Sequence, residues 1–227
     1  MSEVDITVVA DAEEAAQLVA ERLAEQASAG GSIVLTGGST PRRAYKIAAE
    51  LRPDWSSVEL WWGDERCVPP DDKRSNYAMA KAALLDRLDA APVAVHRIQG
   101  ELGRDEGTAE YKHELEGVGT FDLVLLGLGP DGHVASLFPG FPTLDVTSRD
   151  AVGSEAGHEP FVDRISLTLP RLGNTNELLF LVAGEDKADA VARAFAGGPS
   201  HQTPGSLARS AEGTTRAILD RAAAAKL

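Results

Sequence analysis

Only one cysteine, Cys67, occurs in the 227 residues. A lone thiol cannot close an internal disulfide, so the chain is expected to work in a reducing, cytoplasmic compartment. Long apolar runs are missing too, and none approaches the roughly 20 residues that span a bilayer. The opening MSEVDITVVADAEEAAQ is acidic and lacks the basic and apolar regions of a secretory signal. Basic residues are scarce: 22 Lys and Arg stand against 35 Asp and Glu, a formal net charge of −13. A field of that sign argues against nucleic acid or an anionic membrane as partner. It leaves room for a small phosphorylated ligand, because at physiological salt a charge is felt over only about 8 Å and a local basic cluster can prevail. The histidines (96, 113, 133, 158 and 201) show no HxH or HExxH spacing, so no metal site is expected. Ser39 and Ser136 lack the GxSxG setting of a hydrolase nucleophile, and no Gly-Lys-Ser/Thr follows the glycines at 37–38.

What is present fits a packed α/β protein. Hydrophobic residues make up 43% and charged residues 25% of the chain, which supports an ordinary core. Short β-branched or leucine-rich runs alternate with amphipathic ones. Strands are expected at 5–9, 32–37, 58–62, 93–98, 121–128, 164–169, 177–184 and 215–219, and helices at 12–29, 41–51, 75–88, 104–117 and 185–197. Asp11 with Glu14 reads as a capping box, Ser39 or Thr40 as a cap before Pro41, and Asp220 as the cap of a final Ala-rich helix. The stretch 196–214 reads as surface loop with at most one helical turn. Strand–helix alternation of this kind builds a three-layer α/β fold: a mostly parallel central sheet with helices on both faces. The pattern consumes residues 1–227 as one domain, with no internal repeat.

In such sheets ligands bind beyond the carboxyl ends of the strands, so the loops after strands carry the candidates. TGGSTP at 36–41 joins a buried strand to a helix start. Gly37 and Gly38 let backbone approach a ligand, while Ser39 and Thr40 add hydroxyls to the free amides of a first turn, an arrangement suited to phosphate. The plainer reading is a strand–helix turn with a Ser/Thr cap. WWGDERCVPPDDKRSN at 61–76 places Asp64 and Arg66 at a strand end, whereas Asp71, Asp72 and Lys73 read as solvated charge. GLGPDGHVASLFPG at 127–140 follows the most apolar strand and sets Asp131, Gly132 and His133 on a Gly-rich turn. An imidazole is a usable base near neutral pH, and a carboxylate two residues away could orient it. Arg164 opens a strand, and Lys187 sits in a first helical turn, where a cation opposes the helix dipole and so hints at an anionic partner. The Trp61-Trp62 pair reads as core.

Five motifs in one order, LTGGSTP, WWGDERCVPPDDKRSNYAMA, FDLVLLGLGPDGHVASLFPG, RISLTLPRL and LVAGEDKADAV, run from about residue 33 to 195 and beyond. Together they resemble the 6-phosphogluconolactonases, within the superfamily that includes glucosamine-6-phosphate deaminase/isomerase. The resemblance implies a modified Rossmann-like fold and metal-independent, cofactor-free hydrolysis of 6-phosphoglucono-δ-lactone in the pentose phosphate pathway. It implies His133 as general base, with Asp131 and Asp64 near it. It implies a phosphate and sugar site built from Gly37, Gly38, Ser39, Thr40, Arg66, Gly132, Arg164 and Lys187. The deaminase branch follows its Asp-Gly-His with Asn-Glu-Pro; here VASLFPG follows, with no carboxylate between His133 and Asp145. Amino-sugar isomerisation is therefore the weaker enzyme reading, and a phosphosugar sensor without turnover is the alternative of another class. A monomer is expected from the lack of an apolar surface stripe, with a homodimer left open.

Overall fold

In the computed structural model, residues 3–156 and 161–227 are described, so His158 lies outside the described part. Apolar runs bounded by glycine or charged turns become β1 (Val4–Val9), β2 (Gly31–Leu35), β3 (Val58–Trp62), β5 (Ala94–His96), β6 (Phe121–Leu126), β9 (Thr175–Val182) and β10 (Thr214–Asp220). They form one seven-stranded sheet in the order β1-β10-β9-β6-β2-β3-β5, parallel at every pairing. The short strands β4 (Asp64–Arg66), β7 (Ala151–Ser154) and β8 (Arg164–Leu167) make a second, antiparallel sheet in the order β4-β8-β7. Gly63 joins the two sheets. Its amide donates to the Leu35 carbonyl at 2.9 Å, and its carbonyl accepts from the Leu167 amide at 2.8 Å.

The helices are α1 (Ala12–Ala29), α2 (Ser39–Leu51), α3 (Asn76–Ala83), α4 (Arg104–Glu114), α5 (Leu169–Gly173) and α6 (Ala188–Val191). Their placement on both faces follows from adjacent residues of β3, whose side chains point oppositely. Trp62 meets Tyr77 of α3 edge-on with ring centroids 5.5 Å apart, and α3 packs on α2 and α2 on α1. Trp61 faces the other way, toward Tyr111 of α4 at 6.2 Å and Phe121 at 5.8 Å. Both indoles are buried, in keeping with a core role. Strands covered on both faces need continuous apolar sequence, and Leu123 to Leu126 and Leu178 to Val182 are buried without a break. No helix among the described residues is long and apolar enough to cross a membrane.

Several expected boundaries move. The α2 cap is Gly38, with no side-chain bond from Ser39 or Thr40. The run RISLTL pairs in the small sheet and stops at Leu167, where Thr168 caps α5. The expected helix over 185–197 is a 3-10 turn, the four residues of α6 and a π turn in succession. Beyond Asp220 the chain makes turns only. Asp220 does accept from the Ala223 amide at 2.7 Å, but the tail is shorter than the roughly 12–15 residues an unsupported helix needs. The stretch 196–214 has its single 3-10 turn, Pro204–Ser206, yet much of it is buried rather than on the surface. Thr203, Ser206, Ala208 and Ser210 are almost inaccessible. Their polar groups are satisfied internally, for example by the Ser206 hydroxyl, which accepts from the Ser200 amide at 2.8 Å and donates to the Thr203 carbonyl at 2.7 Å.

Candidate active site

The chain leaves β2 through α2 toward β3 on one side and leaves β6 toward β9 on the other. Adjacent strands whose connections part in this way open a crevice at their carboxyl ends. The ladder between β2 and β6 is short, Ile33 with Leu123 and Val34 with Val124. Beyond it lies a cavity of about 400 Å³. Its wall is made by the segment after β2 (36–41), by Asp64 and Arg66 after β3, by residues 127–130, 133 and 135 after β6, and by the end of β9 with the turn that follows it (181–183, 186 and 187), closed by Asn76 and by Arg164 of β8.

The 36–41 segment is held by α2 itself. The buried Tyr45 hydroxyl donates to the Thr36 carbonyl at 2.8 Å and accepts from the Thr36 amide at 2.9 Å, so the strand end has its peptide groups satisfied although the ladder has stopped. Tyr111 does the same at the end of β3, with the Trp62 carbonyl at 2.8 Å and amide at 3.2 Å. Burial pushes both phenols well above their ordinary pKa, which keeps them neutral donors. Gly37 must be glycine because a β-carbon there would overlap the Asn76 amide group. The first turn of α2 contains no acidic residue, so the helix itself sets no carboxylate against the free amides of Ser39 and Thr40, two residues of the cavity wall.

On the 127–140 turn, His133 and Asp131 meet directly, with Nδ1 of the ring 2.6 Å from Oδ1 of the carboxylate. The same oxygen accepts from the His133 amide at 3.1 Å. Gly129 donates to the His133 carbonyl at 2.9 Å, and a β-carbon at 129 would overlap the imidazole. His133 lines the cavity; Asp131 stands behind it, out of the wall. Gly132 is also outside the wall. It has a φ of 99° and accepts at its carbonyl from Gly205 at 2.9 Å, so its place is in the turn's backing.

Asp64 is buried. Its Oδ2 accepts from the Ser136 hydroxyl at 2.6 Å, and its Oδ1 from the Asn76 amide at 3.1 Å. Its bonds thus run to those two side chains rather than to the imidazole. Glu65, next along β4, is buried as well and accepts from the amides of Arg66, Asn76 and Tyr77 and from the Ser75 hydroxyl at 2.7–2.8 Å. Burial raises its pKa and those donors pull it back. Arg66 gives one guanidinium hydrogen to the Arg74 carbonyl at 2.7 Å, while its Nε is buried without a partner among the described residues. Arg164 lies over the Phe138 ring, Cζ to centroid 5.4 Å. Burial lowers its pKa while the Asp64 charge opposes that fall. Lys187 contributes Nζ, 3.2 Å from the exposed carboxylate of Asp186.

Most of the residues singled out from the sequence therefore converge: Gly37 to Thr40, Asp64, Arg66, His133, Arg164 and Lys187 share one cavity. Asn76, Ala135 and the tyrosines are not singled out in the sequence, and Ser136 is weighed there only as a nucleophile and set aside. Asn76 reads as a helix-start residue, and Ser136 as an ordinary loop serine. Ala135, at φ 48°, carries no sequence signal for a left-handed conformation. Among the described residues no group of His, Cys, Asp and Glu is arranged to hold a metal ion. Cys67 is partly buried and its thiol is pushed up to about 11, chiefly by burial, so it is a poor nucleophile.

Residues 8–217 match the family described as glucosamine-6-phosphate isomerases/6-phosphogluconolactonase. The chain belongs to this family. A 6-phosphogluconolactonase of Streptomyces coelicolor is 41% identical, over 94% of this chain and 88% of that protein. One from Mycobacterium leprae is 42% identical, over 86% and 84%. The solved structure of a 6-phosphogluconolactonase from Trypanosoma cruzi superimposes with a TM-score of 0.89 at 26% identity, covering 100% of this chain and 98% of that one. Family membership accounts for the three-layer α/β architecture, and the match spans every loop that builds the cavity.

Proposed function

We propose that this protein hydrolyses 6-phosphoglucono-δ-lactone to 6-phosphogluconate, with His133 as general base. The observation that carries the chemical part is the 2.6 Å contact between His133 Nδ1 and Asp131 at the cavity wall. A ring that donates Nδ1–H to a carboxylate keeps its lone pair on Nε2. Nε2 takes a proton from a water, and the water oxygen attacks the lactone carbonyl. Asp131 steadies the imidazolium so formed. Collapse of the tetrahedral intermediate breaks the ring C–O bond, and the imidazolium returns its proton to the departing ring oxygen. Backbone amides of the Gly-rich turns that line the cavity are the candidate donors for the developing oxyanion. The phosphate lies at the start of α2, against the amides and hydroxyls of Ser39 and Thr40, with Lys187, Arg66 and Arg164 supplying positive charge.

Amino-sugar isomerisation is disfavoured because the turn after His133 brings no carboxylate before Asp145. A sensor without turnover has no use for an oriented imidazole. The decisive assay generates the lactone in place with glucose-6-phosphate dehydrogenase and follows acid release with and without the protein. Acceleration that is lost in His133→Ala supports the reading; an unchanged rate of lactone opening rejects it.

A further inference from the structure

We propose that Ser136 and Asn76 are positioning residues: through the Asp64 carboxylate they lock the turn that carries His133 and the loop that carries the Ser39 and Thr40 amides onto one strand end. The inference rests on the reading of His133 as the base and of the 36–41 loop as the phosphate site.

Three segments far apart in sequence meet at Asp64, and every side chain at the junction is buried: Asp64 is 5% exposed, Asn76 2% and Ser136 0%. A buried carboxylate is costly unless its lone pairs are filled. Ser136 fills one oxygen at 2.6 Å. Asn76 fills the other at 3.1 Å and also donates to the Asp64 carbonyl at 2.9 Å. Each donor sits where its position matters. Ser136 lies three residues beyond His133, and between them Ala135 holds a left-handed φ of 48°, a conformation that an alanine keeps only when its neighbours fix it. The Ser136 amide is tied as well, to the Ser166 hydroxyl at 3.3 Å. Asn76 holds its amide oxygen where a β-carbon at Gly37 would stand, so that no side chain fits there. Its backbone amide is fixed in turn by Glu65 at 2.7 Å. One carboxylate thus sets the distance between base and anion loop, which is what a reaction needing a water, a carbonyl and a remote phosphate in register demands.

The two tethers are expected to fail differently. Ser136→Ala frees the base turn but leaves the His133–Asp131 contact, so kcat falls at least tenfold, KM stays within twofold, and the apparent pKa of the base in the pH–rate profile does not move. Asn76→Ala loosens the anion loop, so KM rises at least fivefold with kcat within threefold, and inorganic phosphate binds more weakly by calorimetry. Ala135→Gly, which relieves the left-handed penalty, restores part of the kcat lost in Ser136→Ala. The His133 ring resonance, assigned by its absence in His133→Ala, shifts or broadens in Ser136→Ala and not in Asn76→Ala. The resonance and the phosphate titration need no turnover. A protein that bound phosphate but opened no lactone would sink the functional reading while these two measurements still judged the tethers. If Ser136→Ala does not fold, Ser136→Cys, with a weaker donor of similar shape, is measured in its place with the same expectation. Wild-type kcat and an unmoved ring resonance in the Ser136 variant overturn the proposal. So does an equal loss of kcat and affinity in both variants.

Discussion

At the residue scale, His133 is legible in sequence because everything that marks it is local: an apolar strand, glycines just ahead of it and an acid two positions away. The structure adds why those glycines are there. Gly129 has no room for a β-carbon against the imidazole, so it packs the base as well as making the turn. This separates two substitutions. His133→Ala is expected to lower kcat by about 100-fold or more, the scale of a general base, with 6-phosphogluconate affinity little changed. Gly129→Ala keeps the imidazole but must displace it, so it should lose a comparable share of kcat while thermal unfolding shows an intact fold. Steady-state kinetics on both variants checks this; a Gly129→Ala enzyme at wild-type rate would mean that the ring position observed is not the working one. Ser136 and Asn76 escaped sequence reading for the opposite reason. Their partner, Asp64, is 72 and 12 positions away, and nothing in a loop serine or a helix-start asparagine announces a buried carboxylate.

At the element scale, the long strands and helices were legible because burial on two faces imposes continuous apolar runs and amphipathic periods. The short strands were not. Asp-Glu-Arg at 64–66 reads as the start of a loop at a strand end rather than as a strand, and its acids are buried, because β8 supplies the ladder on one side and the start of α3 supplies amides on the other. Glu65 is thus a cap for α3 delivered from a distant strand, in addition to the local cap Ser75. An acceptor at a helix start fills the amides that have no partner within the helix, and Glu65 fills two of them. Glu65→Ala strands several buried donors at once, so a loss of about 3 kcal/mol is expected. Urea titration should show a lower midpoint with an unchanged slope. A midpoint equal to wild type would show that α3 does not depend on β4, and the two walls of the cavity that they carry would then be independent.

At the scale of the whole molecule, the parallel sheet and its switch point place the cavity, while the net charge of −13 works against the ligand proposed for it. The two act over different distances. The far field of the molecule is felt over about 30 Å at 0.01 M salt and about 8 Å at 0.15 M, whereas contacts inside the cavity weaken only as the screening length nears 3 Å at 1 M. Affinity for 6-phosphogluconate should therefore hold or improve between the first two conditions and fall between 0.15 and 1 M. The fall belongs to the local cations. Lys187→Ala and Arg66→Ala should each weaken 6-phosphogluconate binding at 0.15 M, by up to about 2–5 kcal/mol where the lost contact is desolvated, and should flatten the high-salt decline. Asp186 beside Lys187 already offsets part of its charge, whereas Arg66 gives a hydrogen only to a neutral carbonyl, that of Arg74, so the larger loss is expected at Arg66. Unphosphorylated gluconate, titrated into the same three proteins by calorimetry, should bind all of them alike if these cations meet phosphate alone. Equal affinities for 6-phosphogluconate across the three proteins would place the phosphate on the amides of Ser39 and Thr40 and Arg164 alone, and would reduce Lys187 and Arg66 to ordinary wall charges.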